Sequence, residues 1–368
     1  MSAREGAPGG GEHPLRERLG LGRRAPAWTS LGRWPTPLTS LSLGGPTIWL
    51  KREDLSHPRY GGNKVRTLEM LLGDAAARGV TRVWAAGAYG SNHAVATLVH
   101  APAAKLTAGA LLFPQPYSDP AAENLRASAS LSPQVEPVRS VATLPFAMLA
   151  TWRSERIRGE RPWMMPPGGA TPLGALGALS AAFELAEQVR AGLAPAPATI
   201  VLPAGSVCTS SGLLAGLALA HRLGVWRWAR PTVCAVRVTP WPVTSRARIT
   251  GLALRALALV DRLRGSACGI QRGELGAHLV VDGAQLGAGY GRATTAGDAA
   301  AARFTASGGP SLDCVYAAKA GAALLARLER PAPPGPMLLW STKSTAPPPT
   351  GTVKVPIAAP FARWLARC

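Results

Sequence analysis

The stretch "IWLKREDLSHPRYGGNKVRTLEMLL", Ile48 to Leu72, joins two different periodicities across a glycine turn. Its first residues belong to a short apolar run, "TIWL" (47–50), of the kind that forms a buried strand. Its last residues place Val65, Leu68, Leu71 and Leu72 at helical spacing, which predicts a helix over 64–78. Between them stand Gly61, Gly62, Asn63 and Lys64. The same strand-then-helix alternation recurs outward from this point. "RVWAAG" (82–87) leads through "AYGSNH" into a helix, and "AGALLF" (108–113) precedes a helical stretch near 119–130. "TIVLPAG" (199–205) is followed by helix 209–223, and "TVCAVRV" (232–238) by helix 244–262. Then come "HLVVD" (278–282), "LDCVY" (312–316) before helix 319–329, and "MLLWS" (337–341). Short strands separated by longer helices predict right-handed βαβ units, hence an α/β fold with a mostly parallel sheet covered on both faces. "PAPPGP" (331–336) and "TAPPPTG" (345–351) read as loops, and no repeat of fixed period is present.

The chain has 368 residues and 47% apolar content, enough for a large core or two domains. Its formal charge of +20 raises nucleic acid as a partner. The charge is mostly arginine scattered along the chain, with Ala, Gly and Pro equally inflated, so it reflects residue bias and not a phosphate-binding patch. No zinc-finger, RNP or helix-turn-helix pattern accompanies it, and no nucleic-acid partner is expected. Cys208, Cys234, Cys268, Cys314 and Cys368 form no CxxC pair, and the six histidines are scattered too. Neither a metal site nor a disulfide framework is expected, which fits a reducing, cytoplasmic setting. No apolar run approaches the ~18 residues of a membrane span. Residues 1–27 lack an apolar signal core, and Glu5, Glu12 and Glu17 count against a transit peptide, so a disordered basic arm is expected.

Ligands in open α/β sheets sit on the loops that begin helices at the carboxyl ends of strands. Three such loops are rich in small and hydroxyl residues: "YGGNK", "GAYGSNH" (87–93) and "PAGSVCTSSG" (203–212). The third would present backbone N–H groups and the hydroxyls of Ser206, Thr209, Ser210 and Ser211 at a helix N-terminus, a ready anion site. A plain Ser/Thr cap cluster is the alternative. No GK[ST] follows it, and "GAGYGR" (287–292) opens no clear helix, so neither a Walker loop nor a dinucleotide fingerprint is present. Lys64 is one of only six lysines. A lysine at a helix mouth, out of bulk water, has a lowered pKa and suits Schiff-base chemistry; a surface lysine beside a turn is the alternative. A phosphate site together with such a lysine is what pyridoxal 5′-phosphate (PLP) requires.

Four separated segments carry a resemblance. "LKREDLSHPRYGGNKVRTLEMLL", "GAYGSNHAVAT", "MPPGGATPLGALGALSAAFELAEQV" and "GAGYGRAT…LDCVYAAKA" together resemble the PLP-dependent family of D-cysteine desulfhydrase and 1-aminocyclopropane-1-carboxylate deaminase, from about Thr36 to Pro356. The resemblance implies the tryptophan-synthase-β-like fold type II, with two open, mostly parallel sheets. It divides the chain into a large PLP-binding domain (28–65 and 168–368) and a small inserted domain (66–167). It implies Lys64 as the covalent attachment point of PLP and Asn92 as partner of the ring hydroxyl. Ser91 would face the substrate carboxylate or reacting carbon, with Asn63 and His93 completing the substrate wall. Gly205, Ser206, Val207, Cys208 and Thr209 would cradle the phosphate. Tyr290 and Tyr316 would flank the substrate, one on each side, and Ser341 or Thr342 would bond the pyridine nitrogen.

The implied substrate is a small amino acid and the implied assembly a homodimer, with no metal and no membrane. "SNH" resembles desulfhydrases, where deaminases usually have glutamine after "SN". The implied reaction is β-elimination, or opening of a cyclopropane ring, giving a 2-oxo acid and ammonia. A β-replacement enzyme of the cysteine synthase type and a PLP-binding homologue without turnover are the alternatives. The chain departs from the family pattern in three places. "GSVCT" replaces a loop close to "GSGGT", and a valine disfavours positive φ, so a distorted cup is expected. "YAAKA" lacks the usual hydroxyl or carboxylate at Ala317. "STKS" (341–344) replaces "HTGG", putting Lys343 where glycine is usual.

Overall fold

In the computed structural model, which describes residues 14–45, 47–330, 335–352 and 357–366, the predicted apolar runs assemble into two sheets. The chain starts with a short helix, α1 (Pro14–Arg18), and a hairpin of β1 (Leu38–Ser42) and β2 (Thr47–Arg52). There follow α2 (Lys64–Ala77), β3 (Arg82–Ala88), α3 (Asn92–His100), β4 (Thr107–Phe113), α4 (Asp119–Leu131), β5 (Val135–Pro137), α5 (Leu144–Ile157) and β6 (Pro162–Met164). The second half runs α6 (Pro172–Arg190), β7 (Thr199–Ala204), α7 (Cys208–Arg222), β8 (Thr232–Arg237), α8 (Arg246–Arg264), α9 (Arg272–Ala277) and β9 (Leu279–Asp282). It ends with α10 (Thr295–Ala306), α11 (Ala317–Leu328), β10 (Met337–Ser341) and α12 (Ala359–Leu365).

The larger sheet has the order β1-β2-β10-β7-β8-β9 and the smaller β5-β4-β3-β6. Every pairing is parallel except the β1–β2 hairpin. The four strands of the smaller sheet lie in sequence between β2 and β7, so one α/β unit interrupts the other. Parallel strands need crossover helices, and these bury both faces. β7 accordingly reads Thr199 to Ala204 without an exposed position. α2 bridges the two units: Met70 packs in the core of the larger one, and Leu68, Leu71 and Leu72 in that of the smaller. Its close approach to α6 depends on Gly177, where a Cβ would lie 2.2 Å from the Arg66 carbonyl oxygen.

Three expectations differ from what is observed. "LDCVY" is a turn, not a strand: the Asp313 carboxylate accepts from the backbone N–H groups of Val315, Tyr316 and Ala317 at 3.1, 2.8 and 3.0 Å. Within the expected disordered arm, Leu15, Leu19 and Leu21 are buried in the large core, and Arg18 pairs with Glu187 on α6. Residues 1–13 lie outside the described residues, as does the 331–334 part of the loop read at 331–336. At the other end, Phe361 and Trp364 pack edge-on against Tyr89, at 5.0 and 5.3 Å between ring centroids. α12 thus joins the core of the smaller unit, although the family resemblance puts 168–368 in the larger. Among the described residues no helix is long and apolar enough to cross a membrane.

Candidate active site

Lys64 is the first residue of α2, and a buried ionic network holds that end of the helix. Arg66 donates to both oxygens of Glu53, at 2.7 and 2.8 Å, and to Glu184 at 2.8 Å. Fully buried Lys51 pairs with Glu184 and donates to Gln188 Oε1 at 2.7 Å and to the Thr36 carbonyl at 2.8 Å. Buried charges persist only when paired and hydrogen-bonded, so β2, α2 and α6 are fixed relative to one another. Lys64 Nζ then donates to the Gly168 carbonyl at 3.1 Å and to Ser206 Oγ at 3.4 Å. Burial lowers its pKa from the ordinary lysine value, favouring the neutral, nucleophilic amine.

Ser206 belongs to the turn from β7 into α7. Val207 sits there at φ 65°, ψ 0°, in the left-handed region. The turn is left-handed at this point although a valine disfavours that conformation, and the valine bears the strain. The side chain of Val207 packs in the large core, so what it offers outward is backbone N–H, while the buried Cys208 thiol donates to the Gly169 carbonyl at 3.5 Å. First-turn N–H groups have no intrahelical partner and make an anion cradle with the helix dipole. Two of the expected hydroxyls turn away from it. Ser210 Oγ bonds back to the Val207 carbonyl at 3.0 Å, and Ser211 is fully buried. Ser206 and Thr209 remain. Thr209 Oγ1 accepts from Asn63 Nδ2 at 2.7 Å, which ties Asn63 to the first turn of α7.

The glycines of "MPPGG" close over this point. A Cβ on Gly168 would lie 2.3 Å from Ser206 Oγ and 3.3 Å from Lys64 Nζ, and its φ of +68° already favours glycine. His93 lies beside the next glycine, buried, with neither ring nitrogen partnered among the described residues. Burial first, and the Lys64 charge second, lower its pKa to about 3, so its ring is neutral. Ser91 caps α3, its Oγ accepting from Ala94 N at 3.2 Å. Asn92 Oδ1 accepts from Tyr60 Oη at 3.0 Å and Asn124 Nδ2 at 2.7 Å, which leaves its own NH2 group to donate to a ligand.

Tyr290 and Tyr316 stand together, not on opposite sides: their hydroxyls share a hydrogen bond of 2.7 Å. Burial raises both pKa values. They line a small pocket with Asn92, Gln115, Asn124 and Lys343. Two residues of the "LDCVYAAKA" segment, half-buried Asp313 and fully buried Lys319, hold them in place. Asp313 caps the turn that carries Tyr316, and Lys319 Nζ donates to the carbonyls of Leu286 and Gly289, at 2.9 and 3.2 Å, just before Tyr290. "STKS" lies behind the Lys64 loop: Asn63 N donates to the Thr342 carbonyl at 3.0 Å, and Gly62 bridges to Lys343. Among the described residues the Ser341 and Thr342 hydroxyls have no hydrogen-bond partner. Gln115, Asn124, Asp313, Lys319 and the Gly168 wall were not foreseen as site residues; only "MPPGG" and "LDCVYAAKA" carried a local signal for any of them. The donor set fits PLP: an anion cradle, a desolvated lysine touching it, an amide donor, and an orphaned buried imidazole.

The family described as pyridoxal-phosphate dependent enzyme matches residues 29–342. Nocardicin C-9' epimerase of Nocardia uniformis subsp. tsuyamanensis is 42% identical over 175 residues, covering 47% of this chain and 53% of that protein. D-cysteine desulfhydrase of Salmonella schwarzengrund is 32% identical over 304 residues, covering 79% of this chain and 85% of that protein. A solved structure of an ACC deaminase homologue has a TM-score of 0.73 and 25% identity, covering 92% of this chain and 96% of that one. The chain spans little more than half the length of several curated relatives that it matches.

Proposed function

The chain belongs to the pyridoxal-phosphate dependent enzyme family, and on that premise we propose that it is a lyase releasing a 2-oxo acid and ammonia from a small amino acid. The observation that carries this reading is the contact of Lys64 Nζ with Ser206 Oγ at the mouth of α7, which joins a reactive amine to an anion cradle. Lys64 would hold the cofactor covalently, Gly205 to Thr209 its phosphate, and the Asn92 NH2 group its ring hydroxyl. Ser341 or Thr342 would reach the pyridine nitrogen. When bound, PLP supplies the electron sink that makes the Cα–H bond acidic.

The chain's own residues do the rest. Ser91 and the first turn of α3 hold the substrate carboxylate, and neutral His93 puts no positive charge beside Lys64. The tyrosine pair holds one proton between two oxygens and has another to move. In β-elimination the Cα proton and the Cβ substituent leave, the substituent departing with a proton. The enamine that remains takes up water and yields the 2-oxo acid and ammonia. A cyclopropane substrate has no Cα proton, and the proton movement is then at a ring carbon.

Epimerisation at Cα is a second reading, favoured by the 42% identity to an epimerase. It uses the same proton transfers without loss of the substituent. A cytoplasmic homodimer belongs to the lyase reading. Phe146 and Ile157 on α5, 74% and 87% exposed, are apolar surface that a second copy would cover.

Borohydride reduction of PLP-loaded protein and peptide mapping should find the pyridoxyl group on Lys64; finding it on Lys51, Lys319 or Lys343 overturns the assignment. β-Chloro-D-alanine, D-cysteine or 1-aminocyclopropane-1-carboxylate should release 2-oxo acid. Tyr290→Phe or Tyr316→Phe should slow that release by about 10²–10⁴-fold with PLP still bound. Inversion of an amino acid without 2-oxo acid, followed by chiral chromatography, would select the epimerase reading.

A further inference from the structure

The pocket beside the tyrosine pair offers more hydrogen-bond donors than acceptors. Gln115 spends its Oε1 on Gly90 N, at 3.1 Å, so its NH2 group is the part left for the pocket. Only one proton fits within the 2.7 Å tyrosine bond, and the other hydroxyl proton is free to point at a ligand. Lys343 lines the same pocket, half-buried, and among the described residues no carboxylate pairs with it. Asp313 also lines the pocket; both its oxygens accept from N–H groups at the start of α11, which orients the carboxylate and leaves its charge in place, and no ion pair joins it to Lys343. The orphan on the acceptor side is Asn124 Oδ1, buried and without a partner among the described residues. That oxygen needs a donor, which an amine or hydroxyl of a ligand supplies and an oxyanion does not.

We propose that Lys343 makes this the pocket for a β-substituent ending in an oxyanion, so that the substrate is an amino acid with an acidic side chain. The inference rests on the lyase reading and narrows it. A small or neutral substituent would leave the Lys343 ammonium group partly desolvated and, among the described residues, without an ion pair. An oxyanion takes a charge-assisted bond from Lys343 and neutral bonds from Gln115 and a tyrosine hydroxyl. Elimination from S-carboxymethylcysteine would break Cα–H and Cβ–S, leave the proton on sulfur as thioglycolate, and after uptake of water give pyruvate and ammonia.

The test uses PLP-loaded full-length protein and a nearly isosteric pair, S-carboxymethylcysteine and S-carbamoylmethylcysteine, each as both enantiomers. Binding is followed by the cofactor absorbance and turnover by pyruvate. The acid should half-saturate at roughly ten- to a hundredfold lower concentration than the amide, the range of a hydrogen bond to a charged group. Lys343→Met should shrink that ratio to below about threefold by raising KM for the acid with kcat little moved, since the lost bond is made in ground and transition state alike. Lys343→Arg should keep the preference, which a merely structural role would not require. Equal half-saturation in the parent protein, or an unchanged ratio in Lys343→Met, overturns the inference and leaves the lyase reading standing. If neither analogue nor β-chloro-D-alanine alters the cofactor spectrum or yields pyruvate, the lyase reading fails and this inference with it.

Discussion

Replacing Val207 by alanine and by glycine should reverse the usual order of the two residues. Val207 is 3% exposed and packs in the large core, yet its φ is 65°. Alanine removes two buried methyl groups, a loss of about 1.6 kcal/mol at ~0.8 kcal/mol each. Alanine still carries a Cβ against the neighbouring carbonyl, so most of the left-handed penalty, roughly 1–2 kcal/mol, stays. Glycine relieves that penalty, and its extra backbone freedom in the unfolded chain costs back about 0.5–1 kcal/mol. The balance puts Val207→Gly above Val207→Ala by about 0.5–1 kcal/mol, where an ordinary alanine-to-glycine change lowers stability by that much. Urea denaturation of the PLP-free protein reads the difference as a midpoint shift at constant slope. PLP affinity should stay within about threefold in both variants, because this residue offers the phosphate only backbone N–H. Glycine falling below alanine by the ordinary margin would show that nothing at this position is strained and that the cradle has another shape.

Thr209→Ala removes a cradle hydroxyl and the acceptor for Asn63, and PLP should dissociate about ten- to a hundredfold more readily; unchanged affinity places the phosphate elsewhere. His93 has a folded-state value of about 3, below the ordinary 6.5, so the unfolded chain takes up its proton first as pH falls. Its contribution is complete above pH 6.5 and is lost as pH drops from there towards 3, with a slope of up to about 1.4 kcal/mol per pH unit. His93→Gln should flatten the acid limb of the stability profile, measured as denaturation midpoint against pH; an unchanged limb would mean that the imidazole is solvated.

Local chemistry made much of this protein readable before any coordinates. The strands of both sheets that carry the site are apolar runs buried on two faces, and their hydrophobicity alone picks them out. Lys64, Ser91 and the β7–α7 turn announce themselves because glycines, hydroxyls and a lysine cluster where helices begin. The unforeseen strands β5 and β6 have three residues each, too short for any periodicity. Tertiary packing decided the rest. Valine disfavours a positive φ, and its burial in the large core overrode that local preference. Asn63 reaches Thr209 across 146 residues of chain, and Lys343 and Asn124 meet at one pocket only because α4, the β10 loop and the Tyr290 loop converge there. "LDCVY" has the composition of a strand and becomes a turn because its aspartate satisfies three N–H groups at the start of α11. The apolar residues of α1 and α12 carry no sign of which core they enter. Hydrophobicity marks a residue as buried, and only the packed chain says against what.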